Sequence, residues 1–247
     1  MAAPGREEPF GDPFQGLNDQ SAGVRSGGSK LHPTTRLRLE NFPKIGGGLQ
    51  YTVYDLGNGR VFKRPTTFWE SYWRVLGWRM PFHKTSILSA HKDVARIKSY
   101  TQRSFQNLRP LLPRVSRDLG NPVIFGDLSY EQDLAVVVAD YFPNHTFREN
   151  RDLVDRYIAL TFRFWEMGFG EWPFKLCLNY GVDRGGALIL LDLGELFFDK
   201  RKAVGRIAKR HWDRVVIRDP AVAGYYRAGM DRAMTVANVE AHWGRAL

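Results

Sequence analysis

Asn179 and Asp192 stand thirteen positions apart in the stretch NYGVDRGGALILLDLGEL, with a Gly-Gly turn and a short apolar run between them. An amide oxygen and a carboxylate are hard donors, of the kind that hold Mg²⁺. A hairpin turned at Arg184-Gly185-Gly186 would bring both to one end of two paired strands, where they could face one cation. The stretch also reads as an ordinary buried hairpin, so the rest of the chain has to decide. Gly46, Gly47 and Gly48 begin a strand-like run, and glycine lets backbone N–H groups approach a phosphate. Lys63 lies on the next strand-like run, where it could reach the α- and β-phosphates as a point charge. Backbone donors, a fixed cation and oxygen ligands are together what a nucleoside triphosphate with Mg²⁺ requires.

These residues need elements to position them. LQYTVYDL and RVFKR flank Gly57-Asn58-Gly59, a hairpin signal because Asn and Gly tolerate positive φ. KTSILSAHKDVARIKSYTQRSFQNL has helical spacing at Ile87, Leu88, Val94 and Ile97. NPVIFGDLS and LAVVVADYF predict two strands joined through YEQD. ENRDLVDRYIALTFRFWEMGFG predicts a helix with Leu153, Tyr157, Leu160 and Phe164 on one face, ended at Gly168 and Gly170. The tail from Asp199 reads as helical, broken at Pro220. The expectation is an α+β chain in three parts. Residues 1–35, rich in Gly, Pro, Ser and charge, form a disordered arm; 36–142 form a β-rich N-lobe; 143–247 form a reduced helical C-lobe.

Composition narrows the function classes. A single cysteine, Cys177, excludes a disulfide within the chain and argues against a Cys-based zinc site. Flanked by leucines, it reads as a small buried hydrophobe. The histidines are scattered without metal spacing. The first residues carry acids and prolines with no apolar core of a signal peptide, and the apolar runs are short and broken by Asp. A soluble, cytoplasmic protein is expected. The net charge is +10 and the pI about 9.8, with much of the excess in DKRKAVGRIAKRHWDRVVIR. Such a run suits a phosphorylated ligand, nucleic acid or an anionic membrane surface, and equally a solvated helix face. Phe68, Trp69, Tyr72, Trp73, Trp78 and Phe82 mix with Arg74 and Arg79, which suits a membrane interface, a lipid-bearing substrate or plain packing.

In these motifs the chain resembles the protein-kinase-like fold in a compact bacterial form, over roughly residues 37–200. IGGGLQYTVYDLGNGRVFKR resembles the Gly-rich loop, a hairpin and the strand-borne Lys. VVVADYFPN resembles the last small-lobe strand running into the hinge. The Asn179–Asp192 stretch resembles the end of the catalytic loop, its hairpin, and the Asp-Phe-Gly segment, here Asp192-Leu193-Gly194. The resemblance implies ATP and Mg²⁺ as cofactors, with Lys63 on the phosphates, Asn179 and Asp192 on the metal, and Asp140, Tyr141 and Phe142 bracketing the adenine.

Departures from that pattern bear on activity. The family's catalytic Asp stands five residues before the Asn, and that position is Phe174. Glu171 is the nearest carboxylate and the candidate replacement base, while Lys175 lies near where such kinases carry a phosphate-contacting Lys. Residues 84–100 contain no Glu to pair with Lys63; Asp93 and Glu70 are the candidates. The Gly-rich loop is short, and no Ala-Pro-Glu follows Gly194. These features favour a phosphotransferase for a sugar, lipid or other small acceptor over a protein kinase. Two alternatives stay open: a pseudokinase serving as a nucleotide-binding or scaffold module, and a basic protein of membrane surfaces or nucleic acid.

Overall fold

The computed structural model describes residues 39–79, 87–172 and 174–247, and from residue 39 on they belong to one compact unit. The predicted disordered arm, and Phe82 of the aromatic segment, lie outside the described residues. The structure is α+β: a strand-rich first half followed mainly by helices. Strands β1 (Lys44–Gly47), β2 (Tyr51–Asp55) and β3 (Arg60–Pro65) lead into helices α1 (Phe68–Arg79), α2 (Ile87–Leu108) and the single turn α3 (Leu112–Val115). Then come β4 (Val123–Ile124), β5 (Tyr130–Asp133), β6 (Ala135–Val137), the short α4 (Val138–Tyr141) and the long α5 (Phe147–Glu166). β7 (Gly170–Glu171), α6 (Leu176–Asn179), β8 (Tyr180–Asp183), β9 (Leu188–Leu190) and β10 (Leu196–Phe197) precede α7 (Lys200–Ala208), α8 (Pro220–Ala233) and α9 (Val236–His242).

Three antiparallel sheets result: β1-β2-β3-β5-β4, β6-β8-β9 and β10-β7. The β2–β3 hairpin closes at Gly57-Asn58-Gly59, with φ of +75° at Gly57 and +82° at Gly59. Asp55 and Asn58 side chains accept from the backbone N–H groups of Gly57 and Arg60 and fix the turn. Its register sets Lys63 between Val53 on β2 and Tyr130 on β5. α5 begins with a complete capping box. Thr146 Oγ1 accepts from Glu149 N, and the Glu149 carboxylate accepts from Thr146 N at 2.8 Å. α8 is capped by Asp219 and begins at Pro220, so the predicted break is a helix start.

The main core runs from Tyr51 through Phe105, Tyr130, Tyr157, Trp165, Tyr180 and Trp212 to Val239. A small second cluster, Tyr72, Val75, Ala90 and Val94, joins α1 to the first half of α2.

Three sequence expectations differ from the structure. YEQD is a strand rather than a connector, because Tyr130 and Gln132 point into the core and Gln132 Nε2 donates to both Leu119 O and Leu190 O at 2.7 Å. LAVVVADYF is strand only over Ala135–Val137; Val138–Tyr141 turn helical and run into Phe142-Pro143-Asn144. Gly46 and Gly47 lie within β1, while the turn to β2 falls at Gly48–Gln50.

Candidate functional site

Two small ladders meet where the site residues gather. The β8–β9 pairing extends one step, with Leu191 N donating to Asn179 O at 2.7 Å, which leaves Asn179 and Asp192 at the open end of the hairpin. The β7–β10 pairing sets Glu171 opposite Leu196, and Trp172 N donates to Glu195 O at 2.8 Å. Helix α2 buttresses this end: Ser104 Oγ donates to Leu196 O at 2.9 Å.

Lys63 reaches this end from β3. It is 8% exposed, and its Nζ donates to Leu191 O at 2.5 Å while standing 5.3 Å from the centroid of the Tyr130 ring. Burial pushes its pKa down to about 8, against the pull of the Asp192 carboxylate. Asp192 is half-buried, and its Oδ1 accepts from Gly194 N at 3.0 Å. Burial, then the neighbouring Glu195, pushes Asp192 up to about 6; Gly194 N–H, Lys63 and Lys175 oppose. Gly194 leaves room for the Gln50 amide oxygen, which would lie 1.7 Å from any Cβ there and which accepts from Thr101 Oγ1 at 3.0 Å.

Asn179 is buried and donates through Nδ2 to Glu171 Oε1 at 2.8 Å and to Glu195 Oε2 at 3.2 Å. With its nitrogen so used, the amide has Oδ1 left as a metal donor. Lys175 Nζ lies 3.4 Å from Glu195 Oε2, and Lys175 N donates to Glu171 Oε1 at 3.2 Å. Glu171 is 4% exposed, and burial pushes its pKa up to about 8. Tyr157, Tyr180 and Tyr226 surround it closely enough to feel its charge, and burial raises all three phenols well above their ordinary value.

The site therefore brings together Lys63, Asn179, Asp192 and Glu171 from the sequence expectation. Glu171 acts here by holding Asn179 and the Lys175 backbone, both through one oxygen. Phe174, at the position of the family's catalytic Asp, is buried edge-on against Trp212 with φ of +50°, and its carbonyl accepts from Tyr226. Neither expected partner of Lys63 is engaged with it. Glu70 forms a bidentate pair with Arg64 (2.7 and 3.2 Å), and Asp93 pairs with Arg96 at 2.9 Å. Gly46 to Gly48 sit at the β1–β2 end of the large sheet. Asp140 is exposed on α4, Tyr141 stacks on His145, and Phe142 is buried in the main core.

No protein-family model and no curated protein matches this chain. The solved structure of a bifunctional kinase-methyltransferase, WbdD, is similar at 11% identity over 82% of this chain and 44% of that one, with a TM-score of 0.37. The chain thus spans less than half of that protein's length.

Sequence reasoning missed Glu195 and Tyr130. Glu195 follows the Asp-Leu-Gly signature directly, so a count of carboxylates near Asp192 could have found it. Tyr130 carries no such signal, because only the β3–β5 register sets it against Lys63. Among the described residues no group of three His, Cys, Asp or Glu side chains is arranged to hold a metal, and no helix is long and apolar enough to cross a membrane. On α1, Tyr72 is buried while Trp69 and Trp73 are exposed.

Proposed function

We propose that this chain is a two-lobed, kinase-like phosphotransferase that uses ATP and Mg²⁺ on a small acceptor such as a sugar or lipid. One observation carries the reading: Lys63 of β3, Asn179 at the end of α6, and Asp192 and Glu195 of the β9–β10 connection gather at one end of the β8–β9 hairpin. Burial, and then repulsion from the neighbouring Glu195 carboxylate, raises Asp192, and a divalent cation would relieve that repulsion. Their oxygens with Asn179 Oδ1 make an all-oxygen donor set, which fits Mg²⁺. Lys63 would hold the phosphates, and Lys175 would set Glu195. ATP supplies the phosphoryl group, and Mg²⁺ neutralises charge on it.

Thermal shift and calorimetry test this. ATP with Mg²⁺ should raise the melting temperature, and Asp192→Asn and Lys63→Met should each weaken binding at least about tenfold, a loss of roughly 1.4 kcal/mol. Absence of stabilisation, or unchanged affinity in Asp192→Asn, rules the site out. Phe174 in the place of the base, and Glu171 buried behind Asn179, favour a second reading: a module that holds nucleotide without transfer. Turnover of labelled ATP that is abolished by Asp192→Asn decides for catalysis, and binding without turnover decides for the module.

A further inference from the structure

Gln50 stands where the β1–β2 turn, helix α2 and the Asp192-Leu193-Gly194 stretch meet. Its main chain is tied down, since Gln50 O accepts from Thr66 N at 2.8 Å and from Thr66 Oγ1 at 3.1 Å. Tyr51, next in the chain, is buried against Tyr130 and Phe105, with ring centroids 5.1 and 6.3 Å away. From this fixed base the Gln50 side chain comes so close to Gly194 that a Cβ on residue 194 would overlap its amide oxygen. The same Cβ would lie 3.3 Å from Asp192 Oδ1. Gly194 does not take a positive φ, so it is the approach of Gln50, and not the backbone conformation, that asks for glycine here.

Helix α2 steadies both partners. Thr101 Oγ1 donates to Gln50 Oε1 at 3.0 Å, with Ile97 O competing for the same proton at 3.0 Å. Ser104, three residues on and so on the same face of the helix, donates to Leu196 O at 2.9 Å, with Gly194 O at 3.5 Å. Thr101 and Ser104 are both buried. Asp192 Oδ1 in turn accepts from Gly194 N at 3.0 Å. The direction of that carboxylate therefore depends on where the Gly194 peptide lies, and Gln50 packs against that peptide. Glu70 and Asp93 are turned to Arg64 and Arg96, whereas the two α2 hydroxyls face this end of the site.

We propose that Gln50 is a positioning residue: held by Thr101 and wedged against Gly194, it fixes the turn that carries Asp192. On the function proposed above, Asp192 faces Mg²⁺, so Gln50 sets the metal site without touching the metal. Groups that orient a metal ligand in this way are each worth roughly 10- to 100-fold in metal affinity.

The native chain is compared with Gln50→Ala, Thr101→Val and Thr101→Ser in two measurements. Hydrogen exchange at the Gly194 amide, followed by NMR without ligand, reads the turn itself. It should be faster in Gln50→Ala and Thr101→Val and return towards native in Thr101→Ser, which restores the hydroxyl, while the amides of α5 stay unchanged. Calorimetry of ATP with Mg²⁺ and with EDTA reads the gain in affinity that the metal confers. Gln50→Ala and Thr101→Val should cut that gain about tenfold and leave the metal-free affinity, carried by Lys63, in place; a general loosening would weaken both. Gly194→Ala should lose more of the gain than Gln50→Ala does, and the double variant, in which the amide no longer occupies the place of the Cβ, should recover towards the level of Gln50→Ala. Native exchange at Gly194 in Gln50→Ala, an undiminished gain in that variant, an equal loss with and without metal, or a double variant worse than Gly194→Ala each overturns the positioning role. A native chain that binds no ATP sinks the function, and the exchange measurement then decides the role of Gln50 by itself. A metal-dependent gain shared by every variant sinks the role of Gln50 and leaves the function standing.

Discussion

Glu171, the candidate replacement base of the sequence, sits behind Asn179 in the structure. Buried, with one oxygen accepting from Asn179 and from the Lys175 backbone, it is a positioning group for the proposed metal ligand. Its folded pKa of about 8 lies above its ordinary value of 4.5. The proton is thus favoured by the folded state, so the stability this group contributes is full below about pH 4.5 and lost as pH rises through 8. Glu171→Gln keeps the shape and removes that loss. The variant should gain melting temperature relative to wild type at pH 8.5 and show little difference at pH 4.5. A constant offset between the two across that range would refute a buried, titrating carboxyl. The sequence expected Lys63 of β3 near the two ends of the Asn179–Asp192 hairpin, and the structure brings them together there, because hairpin spacing translates into position. The sequence could not reach the Glu171–Asn179–Glu195 linkage, since β7 and β10 have two residues each and strands that short show no periodicity.

At the scale of elements, local chemistry decided what was legible. The β2–β3 hairpin and α5 were readable because turn residues and a helical apolar face state their own geometry. The strand β5 was not, because Gln132 is a polar residue whose amide nitrogen is taken up inside the core by two carbonyls. The segment after Val137 was misread because a β-branched apolar run suits a strand, while Pro143 suits the first turn of the 3-10 helix that α4 leads into. Helix α5 matters most to the site, since its C-terminal end delivers β7 and hence Glu171. Thr146→Ala removes the capping hydroxyl that accepts from Glu149 N and should cost about 1 kcal/mol. Urea unfolding checks it: the midpoint should fall with the slope unchanged. A shift of less than a few tenths of a kcal/mol would show that the box is idle.

For the whole molecule, the division of the core predicts unequal stability. The main cluster ties β2, the second half of α2, α5, β8, β9 and the C-terminal helices into one network. Helix α1 and the first half of α2 are held by a separate cluster of Tyr72, Val75, Ala90 and Val94, by the Arg64–Glu70 pair, and by the Ser71–Thr66 hydroxyl contact at 2.7 Å. Apolar burial scales with area, so among the described residues the cluster of Tyr72, Val75, Ala90 and Val94, with Leu49, Phe68 and Leu76 packed against it, stabilises its helices less than the main network does. Lys63 lies on β3, tied to the main network through its register with Tyr130, so the proposed nucleotide site should outlast the opening of α1. Native-state hydrogen exchange measures this directly. Amides of α1 and of α2 before Val94 should exchange through a sub-global opening, while those of α5 and of the β8–β9 hairpin should exchange only with global unfolding. Val94→Ala deepens the contrast: it should speed exchange in α1 and leave α5 unchanged, because the substitution cuts the small cluster alone. Equal protection in α1 and α5, or a matching acceleration in both, would mean that the two clusters unfold as one.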